Sequence, residues 1–189
     1  MNVISKIFYK IVPTPFKSLV IVWKKTTDQP KVQRIFLSNE RISATKLVDQ
    51  IYPYAEIESC ERIDGIVDKI VRFLNGEDID FSLDIVNLDL IKPFQKSVLI
   101  AEHGIPRGWI STYRRLANHI GIPKGARAVG TALKNNPFPI IIPCHRAIKS
   151  DGSIGGFQGG TLMKQKLLEF EGVKFSSKEK VILDKIYYS

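Results

Sequence analysis

The chain has 189 residues, 44% of them hydrophobic, which is enough for one large or two small folded domains and too apolar for a disordered chain. Its 2 cysteines, Cys60 and Cys144, are too few for a secreted disulfide framework, and its apolar start is broken up by Lys6, Lys10, Lys17 and Lys24, so neither a membrane span nor a signal peptide is expected and the protein reads as intracellular. The formal net charge of +9 is uneven, residues 1–91 holding 12 Lys/Arg and 13 Asp/Glu while residues 92–189 hold 16 and 6; such a C-terminal half suggests a nucleic acid or an anionic membrane as partner, a lysine-rich solubilising surface being the alternative.

Leu19–Trp23 and Val32–Leu37 are β-branched and aromatic, as strands are, with a turn over Thr26–Pro30 between them. Ala44–Tyr52 and Ile63–Leu74 read as helices; in the second, Ile63, Ile66, Ile70 and Phe73 recur at helical spacing and Asn75-Gly76 stops the run. Residues 1–85 thus form a small α/β domain without a chemical motif, residues 86–92 a linker, and residues 93–189 a second domain. In that second domain Gln95–His103 is a helix ended by Gly104 and Pro106. Ser111 or Thr112 can cap the next, whose apolar face is Tyr113, Leu116, Ala117 and Ile120. Gly121 and Pro123 separate it from a third helix over Lys124–Lys134. One face of the third is apolar, and Arg127, Thr131 and Lys134 line the other. Two short helices about a Gly-containing turn, the second basic, make a helix-turn-helix pattern. Asn136-Pro137 breaks the third helix, Ile140–Ile142 reads as a short buried strand, and Gly152–Gly160 is a glycine-rich loop able to lie against a flat ligand. A helix over Thr161–Phe170 follows, then Gly172 as its stop, then a final helix over Lys178–Tyr188. The fold class is α/β (α+β): an N-terminal domain with an antiparallel sheet and a mainly helical C-terminal domain.

From His103 through Ser150 there is no Asp or Glu, while Arg107, Arg114, Arg115, Lys124, Arg127, Lys134, Arg146 and Lys149 are all present. Cys144, in Pro143-Cys144-His145-Arg146, sits inside this window. A thiol reacts as thiolate, which nearby positive charge favours, so Cys144 is a candidate nucleophile; a small buried hydrophobe is the alternative. His145 is the candidate base, or else a core histidine. In a straight strand the two side chains would point to opposite faces, so a turn at Cys144 or a bridging water is required. Glu171, in the last turn of a helix where it opposes the macrodipole, could orient His145 in a Cys–His–Glu relay, or could be an ordinary exposed glutamate. No metal-ligand spacing links Cys60, Cys144, His103, His119 and His145, and the glycine loop lacks a Gly-Lys-Ser/Thr ending, so neither a metal nor a nucleotide cofactor is expected.

From Phe94 through Gly172 the chain resembles the O(6)-alkylguanine-DNA alkyltransferases, the methylated-DNA–protein-cysteine methyltransferases. The resemblance rests on Ile105-Pro106-Arg107-Gly108, Tyr113, Arg127-Ala128-Val129-Gly130, Asn136-Pro137, Ile142-Pro143-Cys144-His145-Arg146, Gly159-Gly160 and Glu171-Gly172. The N-terminal half is similar only at Thr14-Pro15 and Phe73–Phe81, and by resemblance is a ribonuclease-H-like supporting domain. The resemblance implies a monomer, without cofactor, acting in the cytoplasm or at the nucleoid on double-stranded DNA. It would enter the minor groove and flip an O(6)-alkylguanine into a pocket. Cys144 would take the alkyl group once. His145 would accept the thiol proton with Glu171 holding the imidazole, Tyr113 would hydrogen-bond the guanine, and Asn136 would brace the turn. Arg127 would fill the vacated space in the duplex, with Thr112, Tyr113, Lys124, Thr131, Lys134 and Arg146 as further DNA contacts. Ala147, Phe157 and Gln158 would frame the base. Trp109, Phe157 and Gln158 depart from residues familiar at their positions, which bears on pocket size and alkyl preference, and the zinc ligands of some relatives are not apparent. Alkyltransferase-like damage sensors lack this cysteine, a helix-turn-helix regulator would want a dimerisation element, and a cysteine hydrolase leaves the acid-free window unexplained.

Overall fold

The computed structural model describes residues 6–26, 28–176 and 180–188. Thr27, inside the expected Thr26–Pro30 turn, and residues 177–179, at the start of the expected last helix, lie outside the described residues. The chain divides into two compact units. One comprises the residues through Leu90 together with Pro137–Pro139, and the other Ile91–Asn136 and the chain from Ile140 onward.

The first unit is built on a sheet of β1 (Ile7–Val12), β2 (Leu19–Lys24), β3 (Lys31–Leu37) and β4 (Glu56–Ile57), in the order β3-β2-β1-β4. The first three strands pair antiparallel and β4 runs parallel to β1. Strand β2 is buried from Leu19 through Trp23, which is why it reads as a continuous apolar run and not as an alternation. Strand β1 has no counterpart among the sequence expectations. Its burial is interrupted at Lys10, Phe8 and Val12 facing inward while Lys10 pairs with Asp64. Helix α1 (Ala44–Ile51) begins at Ser43, whose Oγ accepts from Lys46 N at 3.2 Å, and its Ala44 and Val48 pack on Val20, Val22 and Phe36. Helix α2 (Glu61–Leu74) buries Ile63, Ile66, Ile70, Phe73 and Leu74 along one stripe. The stretch expected as a linker packs with this unit as far as Leu90: Val86 bridges Val32, and Asn87 N–H donates to Val32 O at 2.9 Å. Pro137 O accepts from Ile35 N–H at 2.7 Å beside the fully buried Phe138.

The second unit contains α3 (Pro93–His103), α4 (Tyr113–His119), α5 (Ala126–Lys134) and α6 (Thr161–Phe170), with a short parallel pair of β5 (Ser111–Thr112) and β6 (Ala147–Ile148). Helices α3, α4 and α5 pack on one another. Thr112 is the cap of α4, its Oγ1 accepting from Arg115 N at 3.2 Å. Ile110, Ile148, Leu168, Val173 and Val181 form an apolar cluster at the paired strands.

Two expectations are corrected here. Ile140 and Ile141 form a buried turn and Ile142 a single bridge residue, not a strand, because Ile140 at φ +77° leaves the extended conformation a ladder needs. Residues 180–188 hold no helix. Val181 bridges Phe175, Ile186 bridges Ile110, and Tyr187 N–H donates to Ile110 O at 2.7 Å. The β-branched and aromatic side chains there suit an extended edge better than a helix. Among the described residues no helix is long and apolar enough to cross a membrane.

Candidate active site

The nucleophile's position follows from local backbone chemistry. Pro143 has φ −78° and ψ 57°, the inverse γ-turn conformation, and Cys144 N–H donates across it to Ile142 O at 2.8 Å. The proline ring supplies that φ without cost to the folded chain. Cys144–Arg146 then forms a 3-10 turn closed by Arg146 N–H to Pro143 O at 2.8 Å. The chain thus reverses at Cys144, the turn that a straight strand would have denied it. Asn136 Nδ2 donates to the same Ile142 O at 3.1 Å, bracing the turn from the end of α5. Ile140, buried and β-branched, has φ +77°, so the segment leading to the nucleophile holds backbone strain.

Glu171 is not an exposed helix-end carboxylate. It is buried, and its Oε1 lies 2.9 Å from His145 Nε2. Arg146 grips the same carboxylate with Nε on Oε2 at 2.8 Å and Nη2 on Oε1 at 2.8 Å, and sends Nη1 to Ile105 O at 2.6 Å. Burial alone would raise the Glu171 carboxyl; His145 and Arg146 overcome it and hold the group down at about 2. Burial lowers His145 below its ordinary value, against the pull of Glu171. The arrangement is therefore an ionised Glu171, charge-balanced by Arg146, accepting from the Nε2–H of a neutral imidazole whose Nδ1 carries the lone pair. The Ile105-Pro106-Arg107-Gly108 motif serves this clamp: Ile105 O receives Arg146, Arg107 Nη2 donates to Phe170 O at 2.9 Å, and Gly108, at φ +77°, leaves only 3.0 Å between a would-be Cβ and Glu171 O.

The electrostatics of Cys144 differ from expectation. Burial pushes its thiol up to about 12; Asn136 and Lys164 favour the thiolate and Glu102 opposes it. The resting group is a thiol. The cations of the acid-free window do not reverse this: Arg114, Lys124, Arg127, Lys134 and Lys149 are exposed, where water screens them. The ammonium whose charge reaches the sulfur, Lys164, and the opposing Glu102 lie outside that window, both fully buried and both missed in the sequence. Spacing held the signal. Glu102 falls on α3 at i+4 from Val98 and i+3 from Leu99, and Lys164 precedes Leu167 and Leu168 on α6 by the same intervals, so each charge sits on an apolar stripe.

The remaining expected site residues separate into three groups. Tyr113 is half-buried at the start of α4, pushed up to about 12 by burial and then by Glu102 and Cys144. Its hydroxyl is pressed on the glycine loop, since a Cβ on Gly155, at φ +69°, would stand 2.7 Å from Tyr113 Oη. Ala147 is buried in β6, Phe157 and Gln158 are half-buried, and the Phe157 ring meets His145 edge-on at 6.2 Å. Arg127, Thr131 and Lys134 lie exposed along α5, with Lys124 exposed in the turn before it. Thr112 and Arg146 leave the expected DNA-contact set. Both are buried, Thr112 spending its hydroxyl on the α4 cap and Arg146 its guanidinium on Glu171 and Ile105. Among the described residues no group of three His, Cys, Asp or Glu is placed to hold a metal.

A buried thiol on a tight turn, an imidazole–carboxylate pair at the next residue and a basic helix in the same unit define a cysteine-centred group-transfer site suited to a polyanionic substrate. The family model for the 6-O-methylguanine DNA methyltransferase DNA-binding domain matches residues 93–173. A methylated-DNA–protein-cysteine methyltransferase of Methanothermobacter thermautotrophicus is 38% identical over 136 residues, covering 71% of this chain and 76% of the relative. The crystal structure of the Mycobacterium tuberculosis O6-methylguanine methyltransferase aligns with TM-score 0.68 at 28% identity, over 87% of this chain and 92% of that one. That of M. tuberculosis OGT in complex with DNA aligns with TM-score 0.69 at 27% identity, over 87% and 93%. The chain belongs to the methylated-DNA–protein-cysteine methyltransferase family.

Proposed function

We propose that this protein repairs DNA by transferring the alkyl group of O(6)-alkylguanine to Cys144, once per molecule. The observation that carries the reading is the turn at Cys144 beside the His145–Glu171 pair. His145 Nδ1 accepts the thiol proton through an intervening water, and Glu171 stabilises the imidazolium that forms. The Cys144 Sγ lone pair attacks the alkyl carbon in line, forming the S–C bond as the C–O6 bond breaks. The electron pair passes into the guanine ring, which takes a proton from the Tyr113 hydroxyl; the proton on His145 then returns to Tyr113 through solvent. The thiol proton thus ends on guanine and the alkyl group on sulfur. The thioether is a poor leaving group, so no turnover follows.

A stacked guanine hides its alkyl group, so the base must leave the duplex. The α4–turn–α5 unit is read as a helix-turn-helix set against the minor groove, with Arg127 in the vacated space and Lys124, Thr131 and Lys134 along the backbone. Ala147, Phe157 and Gln158 frame the extruded base. The protein acts as a monomer on DNA in the cytoplasm or at the nucleoid. The test is the intact mass after incubation with a duplex carrying O(6)-methylguanine. Gain of a single methyl on Cys144, with no product beyond one equivalent, is expected; an unchanged mass rejects the reading.

A further inference from the structure

Two ionisable side chains that this mechanism does not use are fully buried in the second unit, Glu102 on α3 and Lys164 on α6. Both helices pack against the Cys144–Arg146 turn. Lys164 Nζ donates to Ala147 O at 2.6 Å and to Gly156 O at 3.4 Å, so one ammonium ties the residue after the nucleophile turn to the glycine loop. Among the described residues neither carboxylate oxygen of Glu102 has a hydrogen-bond partner. The Ala147 N–H lies near enough to favour its ionised form, without hydrogen-bond geometry. A carboxyl buried without partners is costly, and an apolar residue would fill the same space more cheaply.

We propose that Glu102 and Lys164 govern the ionisation of Cys144 from opposite sides, Lys164 as the cation that stabilises the thiolate and Glu102 as the buried counter-charge that limits it. Glu102 is pushed up to about 8, burial being the main cause, and Lys164 is brought down to about 8 by burial. Below that pH Lys164 carries its charge and Glu102 is neutral, which favours the thiolate. Above it the balance reverses. The other groups facing the sulfur are Tyr113 from α4 and, on its own turn, His145 and Arg146 with their partner Glu171. Both residues are positioning residues, acting through the nucleophile.

The inference rests on Cys144 being the alkyl acceptor, but its test needs no DNA. The rate of Cys144 alkylation by iodoacetamide is followed by peptide mass from about pH 6 to about pH 10, on the full chain with Cys60→Ser. Lys164→Met is expected to slow alkylation about tenfold below pH 8, and Lys164→Arg to restore most of the rate. Glu102→Gln, an isosteric change, is expected to speed alkylation several-fold, with an effect that grows above about pH 8. A purely structural role would move Glu102→Gln and Lys164→Met in the same direction. That result, or no shift in either profile, overturns the proposal. If Lys164→Met does not fold, Glu102→Gln decides alone. Should the profiles move as expected while alkylated DNA leaves Cys144 unmodified, the repair reading fails and the pairing stands.

Discussion

Arg146 grips Glu171 through both carboxylate oxygens, at 2.8 Å each, while His145 Nε2 lies 2.9 Å from Oε1 of the same group. One carboxylate therefore does two tasks. It balances the buried Arg146 guanidinium, and it is the hydrogen-bond partner of His145 Nε2. In the proposed reaction the consecutive residues Cys144, His145 and Arg146 serve as nucleophile, base and anchor, and the 3-10 turn that carries them lets His145 and Arg146 meet the same carboxylate.

Glu171→Gln should be strongly destabilising. It leaves the Arg146 charge buried without its partner, a change that costs about 3–5 kcal/mol where a buried pair is broken. The expected result is a lower urea midpoint with an unchanged slope, and slower alkyl transfer by whatever folds. A midpoint equal to that of the parent would mean that Arg146 finds other acceptors.

The same carboxylate sets an acid limb. Its folded value of about 2 lies below its ordinary 4.5, the depressed-acid case. Its contribution is fully present above about 4.5 and is lost as pH falls toward 2. Stability of the parent should decline across that window, and the decline should be shallower in Glu171→Gln. Thermal unfolding followed at several pH values measures both, and parallel curves would count against Glu171 as the acid-sensitive group.

Asn136 contributes to both geometry and charge at the nucleophile. Its amide holds Ile142 O, and its contact with Cys144 favours the thiolate. Asn136→Ala should cost about 1 kcal/mol, because Ile142 O loses one of its two hydrogen bonds and keeps the one from Cys144 N–H. It should also move the thiol further up and slow iodoacetamide alkylation at fixed pH. Loss of stability with an unchanged alkylation rate would confine Asn136 to a bracing role.

How far the site could be read in the sequence depended on how each residue is held. Cys144, His145 and Asn136 carry their chemistry in local order, with Pro143 announcing the turn. Glu171 could be named but not decided, since its burial depends on Arg107, Gly108 and Arg146 meeting it from distant positions. Arg146 misled for the converse reason: a basic residue in a basic window looks like a surface contact until its partner is seen. Glu102 and Lys164 went unread because a charge on an apolar helix face is normally a misfit, and the acid-free window begins one residue after Glu102. In the first unit Lys10 within β1 and Lys6 just before it hide the strand character of β1, whereas the uninterrupted β2 is plain. The sequence pattern over residues 180–188 suggests a helix where the chain is extended, because the pairing of Ile186 with Ile110 is long-range.

Gly155→Ala is the sharpest test of the contact between the glycine loop and Tyr113. The added methyl would stand 2.7 Å from Tyr113 Oη, at a φ of +69° that alanine rarely adopts. Either the loop or the phenol must shift. Alkyl transfer from duplex DNA should fall by tenfold or more if the phenol is the proton donor, as about 1 Å of misplacement can cost roughly 100-fold. Iodoacetamide alkylation of Cys144 should change far less, since it needs no proton donor for a leaving base. Equal losses in both assays would place the effect on the thiol.

The separation of buried from exposed cations can be measured in DNA binding. Log affinity falls linearly with log salt, and each phosphate contact contributes about 0.9 to that slope on duplex DNA. Lys124 and Lys134 are exposed beside and on α5, so Lys124→Ala and Lys134→Ala should each reduce the slope by about one. Thr112→Ala should not, because its hydroxyl already caps α4; it should instead cost about 1 kcal/mol of stability. Arg127→Ala should weaken transfer from duplex more than transfer from single-stranded DNA, where no vacated space needs filling. Slopes that ignore both lysines would put the DNA on another face of the unit.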